Sequence, residues 1–305
     1  MVEAVWTRRQ VLGLGLVGGA VVVGAGIGLF ELVDHTVLPG HQELIKLLGD
    51  CDVSVPPATF SPLGPTESGA FYSKTRNQTV GYTIAYPPDH GPGDRLPLIV
   101  VLHAFGANHT NALAGMSLPQ ALALHVNGQP LPPMAMVAAD GGNGSWHAHP
   151  GDNPLGMVVS ELLPMCWSKD LGVGPQRGGA MGLSMGGYGV LNLATHEPTL
   201  VSAVAAISPG AWMTYPEAHN ANPEAFGSEA EFAANDIFTH AELLTGIPVH
   251  IESGTDDPFR PDVQALARVL PQGTVVVIRK GCHDGNFMRS AEPTALAFLG
   301  THLTT

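Results

Sequence analysis

A series of short, wholly apolar segments, each closed by Gly, Pro, Asp or Ser, constrains the fold of this chain most strongly. Continuous apolar strands suit a sheet whose two faces are both covered, because neither face meets water. Helix-like segments lie between them. The predicted strands are 79–88, 97–106, 133–142, 177–184, 201–210, 247–257 and 274–284, and the predicted helices are 118–126, 155–167, 187–196, 263–270 and 293–303. This alternation predicts an α/β fold with a mostly parallel, roughly eight-stranded sheet and helices on both faces.

Polar residues are concentrated where the predicted strands end. In a parallel α/β sheet the carboxyl ends of the strands share one edge, and chemistry is usually carried out there. One long interval, Ala211 to Gly246, separates two core strands and contains only loop and short helix. We expect this interval to cover a site at that edge.

Composition excludes several classes of protein. Of the 305 residues 45% are hydrophobic and 13% charged, so the chain is not disordered. The formal net charge is −13 and there is no basic run, which argues against nucleic-acid binding. The three cysteines, Cys51, Cys166 and Cys282, lack the C-x-x-C spacing of a structural zinc site. One disulfide and one free thiol would suit an exported protein, and the sequence leaves the pair open.

The N-terminal segment has the features of an export signal or membrane anchor, which we place at residues 1–35. Arg8 and Arg9 precede an uncharged apolar run from Val11 to Phe30, long enough to span a bilayer. The arginines predict that the N-terminus stays cytoplasmic and the rest is exported, and the pair resembles a twin-arginine signal. Without a clear A-x-A cleavage site we favour a retained anchor over a cleaved signal, with a buried helix as the alternative. A Pro-rich linker, residues 36–68, then leads to a catalytic domain, residues 69–305.

Ser184 is the candidate nucleophile. It is the centre of the G-x-S-x-G pentapeptide Gly182-Leu183-Ser184-Met185-Gly186, directly after a predicted strand and before a predicted helix. That is the context of a nucleophile elbow, in which a tight turn lifts the serine hydroxyl above the sheet edge. The alternative is a glycine-rich packing turn with an ordinary N-cap serine.

A serine hydroxyl needs a base and an orienting acid, which follow it in the order Ser, Asp or Glu, His in elbows of this type. Of the downstream histidines His283 is the one in the turn that closes the last core strand. The preceding strand ends in Asp256 and Asp257, and the residues alone do not choose between them. For the oxyanion hole we predict the backbone N–H groups of Phe105 and Met185.

Three further residues are predicted to form the substrate site. His103 ends its strand beside the oxyanion loop and is expected to support that loop, and Trp146 and His147 are expected to line the substrate cleft. His147 and His149 could begin a metal site, but no partner carboxylate pattern completes it in the sequence. We therefore predict no metal and no cofactor.

In combination, "LHAFGAN", "ADGGNGSW", "ELLP", "GLSMGGYG", "AFGSEAEF", "SGTDDPF" and "GCHDGNFM" resemble the putative-esterase family of α/β-hydrolases. This family includes esterase D-like S-formylglutathione hydrolases, and the mycolyltransferases of mycobacterial cell walls are its relatives. The resemblance covers roughly Gly69 to Leu303 and implies an α/β-hydrolase fold with His283 as base. It also implies that the acid is the Asp before Pro-Phe, Asp257. One departure is Ala104, where such loops usually have Gly.

These features lead us to expect an exported, membrane-tethered serine ester hydrolase that acts on an acyl ester or lipid-like small molecule. The mycolyltransferases use Glu as the acid, so "TDDPF" is more similar to the hydrolase branch. Two alternatives stay open at this point. One is an acyltransferase that moves the acyl chain to a sugar or lipid hydroxyl, and the other is a non-catalytic cell-envelope binding protein.

Overall fold

The computed structural model describes residues 51–56, 63–172 and 178–303, and an eight-stranded sheet lies at its centre. The strands are β1 Thr66–Ser73, β2 Gln78–Ala85, β3 Leu98–Leu102, β4 Ala135–Ala139, β5 Gly178–Leu183, β6 Val201–Ile207, β7 Val249–Asp256 and β8 Val275–Cys282. Their order in space is β1-β2-β4-β3-β5-β6-β7-β8. The pairs β1–β2 and β2–β4 are antiparallel, and all other pairs are parallel. The predicted mostly parallel α/β sheet is thus confirmed.

Helices cover this sheet. They are α1 Leu118–Ala121, α2 Pro154–Met157, α3 Leu163–Trp167, α4 Met185–His196, α5 Tyr215–Ala221, α6 Glu229–Ala234, α7 Arg260–Leu266 and α8 Gly285–Leu303. A π-helical turn, Val158–Leu162, joins α2 to α3, a second lies at Asn111–Gly115, and a 3-10 turn lies at Ala241–Leu244. None of the helices in the described ranges has the length and hydropathy of a membrane span.

Both faces of the sheet are buried, as the apolar strands require. In β3 the side chains of Leu98, Val100 and Leu102 belong to the core on one face. Ile99 and Val101 belong to the core on the other. Helix α4 packs in the first core and α8 in the second, so the elbow between β5 and α4 is fixed by the first core.

The helix predicted over 118–126 is wrong in its second half. Helix α1 ends at Ala121, and His125–Val126 pairs instead with Gln129–Pro130 in a two-residue ribbon. Its turn is formed by Asn127 and Gly128, whose φ angles are 53° and 77°. Asn-Gly is the preferred dipeptide for a turn with two positive φ angles, and that local signal outweighs the apolar periodicity before it.

Other boundaries also differ from the sequence prediction. Helix α8 begins at Gly285 and includes Pro293, where the prediction placed the helix start. Strand β1 begins at Thr66, inside the segment predicted as linker, and was not predicted as a strand. Its residues alternate between exposed and half-buried, as suits an antiparallel edge strand with one solvated face. The predicted signal or anchor, residues 1–35, lies outside the described residues.

A disulfide joins Cys51 to Cys282 across a sequence separation of 231 residues. Cys166 is buried and has a free thiol. The sequence left open which two cysteines pair, and the structure joins Cys51 to Cys282. This disulfide ties the segment 51–56 to the last residue of β8, directly before His283.

Candidate active site

Ser184 lies in a sharp turn between β5 and α4. Its φ and ψ are 54° and −116°, values that a non-glycine residue rarely adopts. The turn is held by its own backbone: Ser184 N–H donates to Ile207 O at 2.9 Å, and Ser184 O accepts from Gly210 N–H at 2.9 Å. Strained geometry of this kind persists only where the surrounding structure fixes it. Contacts with the end of β6 do so here.

Glycine is required on both sides of this serine by close backbone approach. A side chain on Gly182 would overlap the carbonyl of Gly186, and a side chain on Gly186 would overlap the carbonyl of Leu102 at the end of β3. The G-x-S-x-G spacing thus lets the helix start cross directly over the strand ends. A glycine-rich packing turn would not require both of these close backbone contacts, whereas a nucleophile elbow does.

His283 contacts Ser184 from the turn after β8. Its Nε2 lies 2.8 Å from Ser184 Oγ. Its Nδ1 lies 3.0 Å from both carboxylate oxygens of Asp257. An ionised carboxylate can only accept, so Nδ1 carries the ring proton and Nε2 of the neutral ring accepts the serine O–H.

Asp257 is held ionised despite its burial. Its side chain has no solvent exposure. Burial would raise the pKa of the carboxyl group, but the hydrogen bond and charge of His283 and the N–H of Phe259 bring that pKa below its ordinary value. Phe259 N–H donates to Asp257 Oδ1 at 2.9 Å. The neighbouring Asp256 accepts a hydrogen bond from Thr255 Oγ1 at 2.8 Å.

The ends of β7 and β8 approach closely enough to bring Asp257 and His283 together. The register of this parallel pair shifts between Arg279 and Cys282. A side chain on Gly254 would overlap the backbone of Gly281. The acid and the base therefore leave adjacent strands at the same edge of the sheet.

Two backbone N–H groups face the same cavity as Ser184. Met185 is the first residue of α4, so its N–H has no carbonyl partner within that helix. Phe105 lies in the loop after β3, and its neighbour Gly106 donates to Asn143 Oδ1 at 2.8 Å. Phe105 and Met185 both line the cavity beside Ser184, and neither backbone N–H donates a hydrogen bond within the described part of the chain. Both are therefore free to bind an oxygen anion.

His103 braces the oxyanion loop from beneath. Its Nε2 accepts from Gly141 N–H at 2.9 Å, so its Nδ1 carries the proton and donates to Ala104 O at 2.8 Å. Burial lowers the pKa of His103. Protonation would also place an N–H of the ring against the N–H of Gly141. The neutral ring thus links the loop after β3 to the loop after β4.

A cavity of about 230 Å³ opens beside Ser184. Its lining residues are Phe105, Ser184, Met185, Gly210, Trp212, Ala221, Asn222 and Phe259. Three of them are aromatic, and three come from the interval 211–246. The expectation that this interval covers the site agrees with its contribution to the cavity wall.

The expectation that Trp146 and His147 line the substrate cleft does not match their burial. Both residues have 0% solvent exposure. Trp146 Nε1 donates to His103 O at 3.0 Å, so this side chain supports the oxyanion loop together with His103. The ring of His147 stacks on Phe226 with ring centroids 4.7 Å apart. Sequence reasoning placed His103, Trp146 and His147 near the site but did not show that they lie below its surface.

The structure adds residues that sequence reasoning did not select. Trp212, Asn222 and Phe259 line the cavity. Glu231, on α6, contacts both His147 and His149. Phe259 follows the acid by two residues and was part of a quoted motif, so its position could have been found. Glu231 is far along the chain from the two histidines, and no local pattern relates them.

The chain is similar to known esterases and serine hydrolases. A family model described as "Putative esterase" matches residues 73–279. No curated protein sequence matches the chain. Among solved structures, an S-formylglutathione hydrolase from Agrobacterium tumefaciens is similar, with 16% identity, a TM-score of 0.62 and coverage of 82% of this chain and 100% of that one.

Two other solved structures are similar in the same way. The fluorophosphonate-binding serine hydrolase F of Staphylococcus aureus has 15% identity and a TM-score of 0.65, covering 78% of this chain and 99% of that one. A feruloyl esterase module from Clostridium thermocellum has 14% identity and a TM-score of 0.57, covering 84% and 96%. The structural similarity shows the α/β-hydrolase fold, and the family model matches more than half of the sequence. The chain therefore belongs to the "Putative esterase" family, which supports its being a carboxylic ester hydrolase.

Proposed function

We propose that this protein is a serine ester hydrolase that works through an acyl-enzyme formed on Ser184. The observation that carries the proposal is the continuous hydrogen-bond chain from Ser184 Oγ through His283 to the buried carboxylate of Asp257. A serine hydroxyl is a weak nucleophile unless a base takes its proton, and this chain supplies the base and its orienting acid.

In the acylation step Ser184 Oγ attacks the ester carbonyl carbon while its proton moves to His283 Nε2. Asp257 stabilises the imidazolium that forms and keeps Nδ1–H directed toward itself. The carbonyl oxygen becomes an anion, which the N–H groups of Phe105 and Met185 bind. When the tetrahedral intermediate collapses, His283 returns its proton to the leaving alkoxide, and the alcohol departs.

Deacylation repeats these steps with water as the nucleophile. His283 takes a proton from the attacking water, the same two N–H groups hold the second oxyanion, and Ser184 recovers its proton as the acid leaves. Apart from the ester and one water molecule, no group outside the chain is needed to balance these steps. His103 and Trp146 are proposed to act as positioning residues, since they hold the loop that carries Phe105.

The cavity favours a compact apolar acyl group. Phe105, Trp212 and Phe259 present aromatic surface around a volume of about 230 Å³. The Clostridium thermocellum feruloyl esterase module was solved with sinapinate, a single-ring acyl compound. We therefore propose esters of short aliphatic or single-ring aromatic acids as the substrate class.

We also propose export, with residues 1–35 as signal or anchor and residues 69–305 as the catalytic domain. The Cys51–Cys282 disulfide supports export, because such bonds persist in oxidising compartments. Fractionation of cells that express the full chain tests this. Recovery of the protein in the cytosol with reduced cysteines would contradict it.

The catalytic proposal is tested by Ser184→Ala in the full-length chain, assayed on short p-nitrophenyl esters. Loss of the nucleophile should lower kcat by about 10⁴-fold or more. Labelling by a fluorophosphonate probe should disappear as well. Ser160→Ala is the matched control, because Ser160 is exposed and donates only to Gly156 O. A Ser184→Ala variant that hydrolyses as fast as the wild type would reject the assignment.

The same assay separates hydrolysis from acyl transfer. Reactions are run with and without a carbohydrate acceptor, and the free acid is quantified. Hydrolysis predicts one equivalent of acid per ester cleaved in both reactions. If less free acid forms than ester is cleaved, and the difference equals the amount of a new acylated sugar, the enzyme is a transferase.

A further inference from the structure

The side chains of His147, His149 and Glu231 converge outside the catalytic site. The two histidines lie in the loop after β4, and Glu231 lies on α6 in the interval 211–246. Glu231 Oε1 is 2.7 Å from His149 Nδ1 and 3.5 Å from His147 Nδ1. The ring centroids of the histidines are 4.2 Å apart. Neither histidine nor Glu231 takes part in the proposed catalytic steps.

Each histidine is fixed through its other nitrogen. His147 Nε2 lies 2.5 Å from Ala225 O, and His149 Nε2 lies 2.5 Å from Gly144 O. A carbonyl oxygen only accepts, so in each neutral ring Nε2 carries the proton and Nδ1 keeps its lone pair. His147 Nδ1 also lies 3.1 Å from Ala148 O, but the shorter contact takes the proton.

The carboxylate of Glu231 is arranged in the same manner. Its Oε2 accepts from Gly227 N–H at 2.8 Å. Its Oε1 is buried and faces the Nδ1 atoms of the two histidines. Two nitrogen lone pairs and one anionic oxygen thus face one another. A single proton between His149 and Glu231 would relieve one of these contacts and leave His147 unpaired.

We propose that this cluster is a zinc site, in which His147 Nδ1, His149 Nδ1 and Glu231 Oε1 bind one Zn²⁺. Two imidazoles and a carboxylate are a ligand set that zinc accepts, and outer hydrogen bonds from Nε2–H to carbonyls are the usual way to orient zinc-bound histidines. Bond lengths of about 2.0–2.1 Å in a tetrahedron place ligand atoms about 3.3 Å apart. All three ligand atoms lie within 4.8 Å of one another, so small side-chain shifts suffice.

The ion would hold together two segments that border the cavity. His147 and His149 belong to the loop whose Asn143 contacts the oxyanion loop, and Glu231 belongs to the interval that supplies Trp212 and Asn222. Zinc at this position is a structural clasp rather than part of the ester chemistry. The sequence argued against a metal site at His147 and His149 because no carboxylate pattern near them completes it. Glu231, which is distant in the sequence, supplies that carboxylate.

The test is metal binding by the full-length chain, purified in detergent through a tag without histidine and stripped with a chelator. Zinc is titrated in competition with a chromophoric chelator, and the retained metal is counted by mass spectrometry. We expect one Zn²⁺ per chain, and a higher unfolding temperature with zinc than without it. His149→Gln and Glu231→Gln should each weaken binding by about 100-fold or more and lose the thermal shift.

His219→Gln is the matched control, because His219 is an exposed histidine of the same interval. It should bind zinc as the wild type does. Circular dichroism of the zinc-free variants shows that they are folded. Absence of stoichiometric binding by the wild type, or equal binding by both cluster variants, would overturn the proposal. Since the readout is metal binding, the result is independent of whether Ser184 is the nucleophile.

Discussion

Ser184, Asp257 and His283 each follow a core strand, whereas Trp212, Ala221 and Asn222 of the cavity wall come from the long interval 211–246. We refer to the first three as the strand-end triad. The cavity cover comprises the loop 141–153 and the interval 211–246. The triad residues leave β5, β7 and β8, all of which belong to one parallel sheet. The cover contains only short helices, such as α5 and α6.

The two regions are stabilised in different ways. The register of neighbouring strands brings the triad together, and backbone contacts hold the elbow. The cover is tied by side chains across the sequence: Asn143 accepts from Gly106 N–H, and Asn222 donates to Asn143 O at 3.0 Å. Substitutions in the cover can therefore alter which ester fits while the chemistry is retained. Substitutions in the triad should abolish turnover for every substrate.

The largest effect that distinguishes these regions is expected for Asp257→Asn. An amide at this position would no longer hold His283 in the productive tautomer, so kcat should fall by about 10³–10⁴-fold with all esters. The measurement is steady-state kinetics over a series of acyl chain lengths. A loss confined to some chain lengths would show that Asp257 acts on specificity instead.

Asp256→Asn is the control for that experiment. Its carboxylate accepts from Thr255 Oγ1, and the side chain is half-buried at the end of β7. We expect kcat within about threefold of wild type, because a surface hydrogen bond contributes little. Inactivation by Asp256→Asn but not by Asp257→Asn would reverse the assignment of the acid.

The positions of Ser184, Asp257 and His283 at one edge of the sheet could be predicted because their signals are local. G-x-S-x-G states where the backbone must approach closely, and Gly182 and Gly186 have that role in the structure. His283 was selected because it follows the last core strand. The choice between Asp256 and Asp257 could not be made from the residues alone, since adjacent side chains at a strand end differ only in direction. The family resemblance favoured Asp257, the residue that contacts His283.

The cover could not be predicted in the same way. Trp146 and His147 were expected at the substrate surface, yet both are fully buried. Burial in a loop depends on what packs over it, and here the covering residues include Phe226, distant in the sequence. Glu231 and Asn222 were missed for the same reason. Their partners lie about 80 residues earlier, and no periodicity records such contacts.

Removal of the Cys51–Cys282 disulfide tests whether the strand-end triad depends on a bond to a distant part of the sequence. Cys51→Ser opens a bond that closes a separation of 231 residues and ends beside His283. The free energy of unfolding should fall by about 3–5 kcal/mol, measured by denaturant titration of the full chain. The substrate profile should not change, because the cover is untouched. Reduced wild type is the control. An unchanged unfolding midpoint in both Cys51→Ser and the reduced wild type would show that the disulfide does not stabilise this fold.

Glu292, on α8, is expected to make the stability of the protein depend on pH. It is 2% exposed, and burial raises its pKa to about 8, with Arg289 acting in the opposite direction. Between the ordinary value of 4.5 and about 8, the folded state keeps a proton that the unfolded state has released. Stability should therefore fall as the pH rises through this window.

Glu292→Gln should remove that pH-dependent loss. The difference in the free energy of unfolding between the variant and the wild type should increase by about 2–4 kcal/mol in favour of the variant from pH 5 to pH 8, since one pKa unit corresponds to about 1.4 kcal/mol. Unfolding curves at both pH values measure this, with exposed Glu242→Gln as the control. Parallel pH profiles for the wild type and Glu292→Gln would show that this carboxyl is ionised in the folded protein.

The smallest expected effect belongs to Asn222→Ala in the cover. Its Nδ2 bonds to Asn143 O, and its side chain borders the cavity. Loss of this bond should loosen the part of the cover that borders the cavity, so KM for esters of single-ring aromatic acids should rise about two- to tenfold, which corresponds to about 0.5–1.5 kcal/mol of binding free energy. Because Ser184 and His283 do not contact Asn222 through any described hydrogen bond, kcat should stay within about twofold. Asn220→Ala, an exposed residue of α5, is the matched control. A fall in kcat without a change in KM would place the cover within the catalytic machinery and remove the distinction between the two regions.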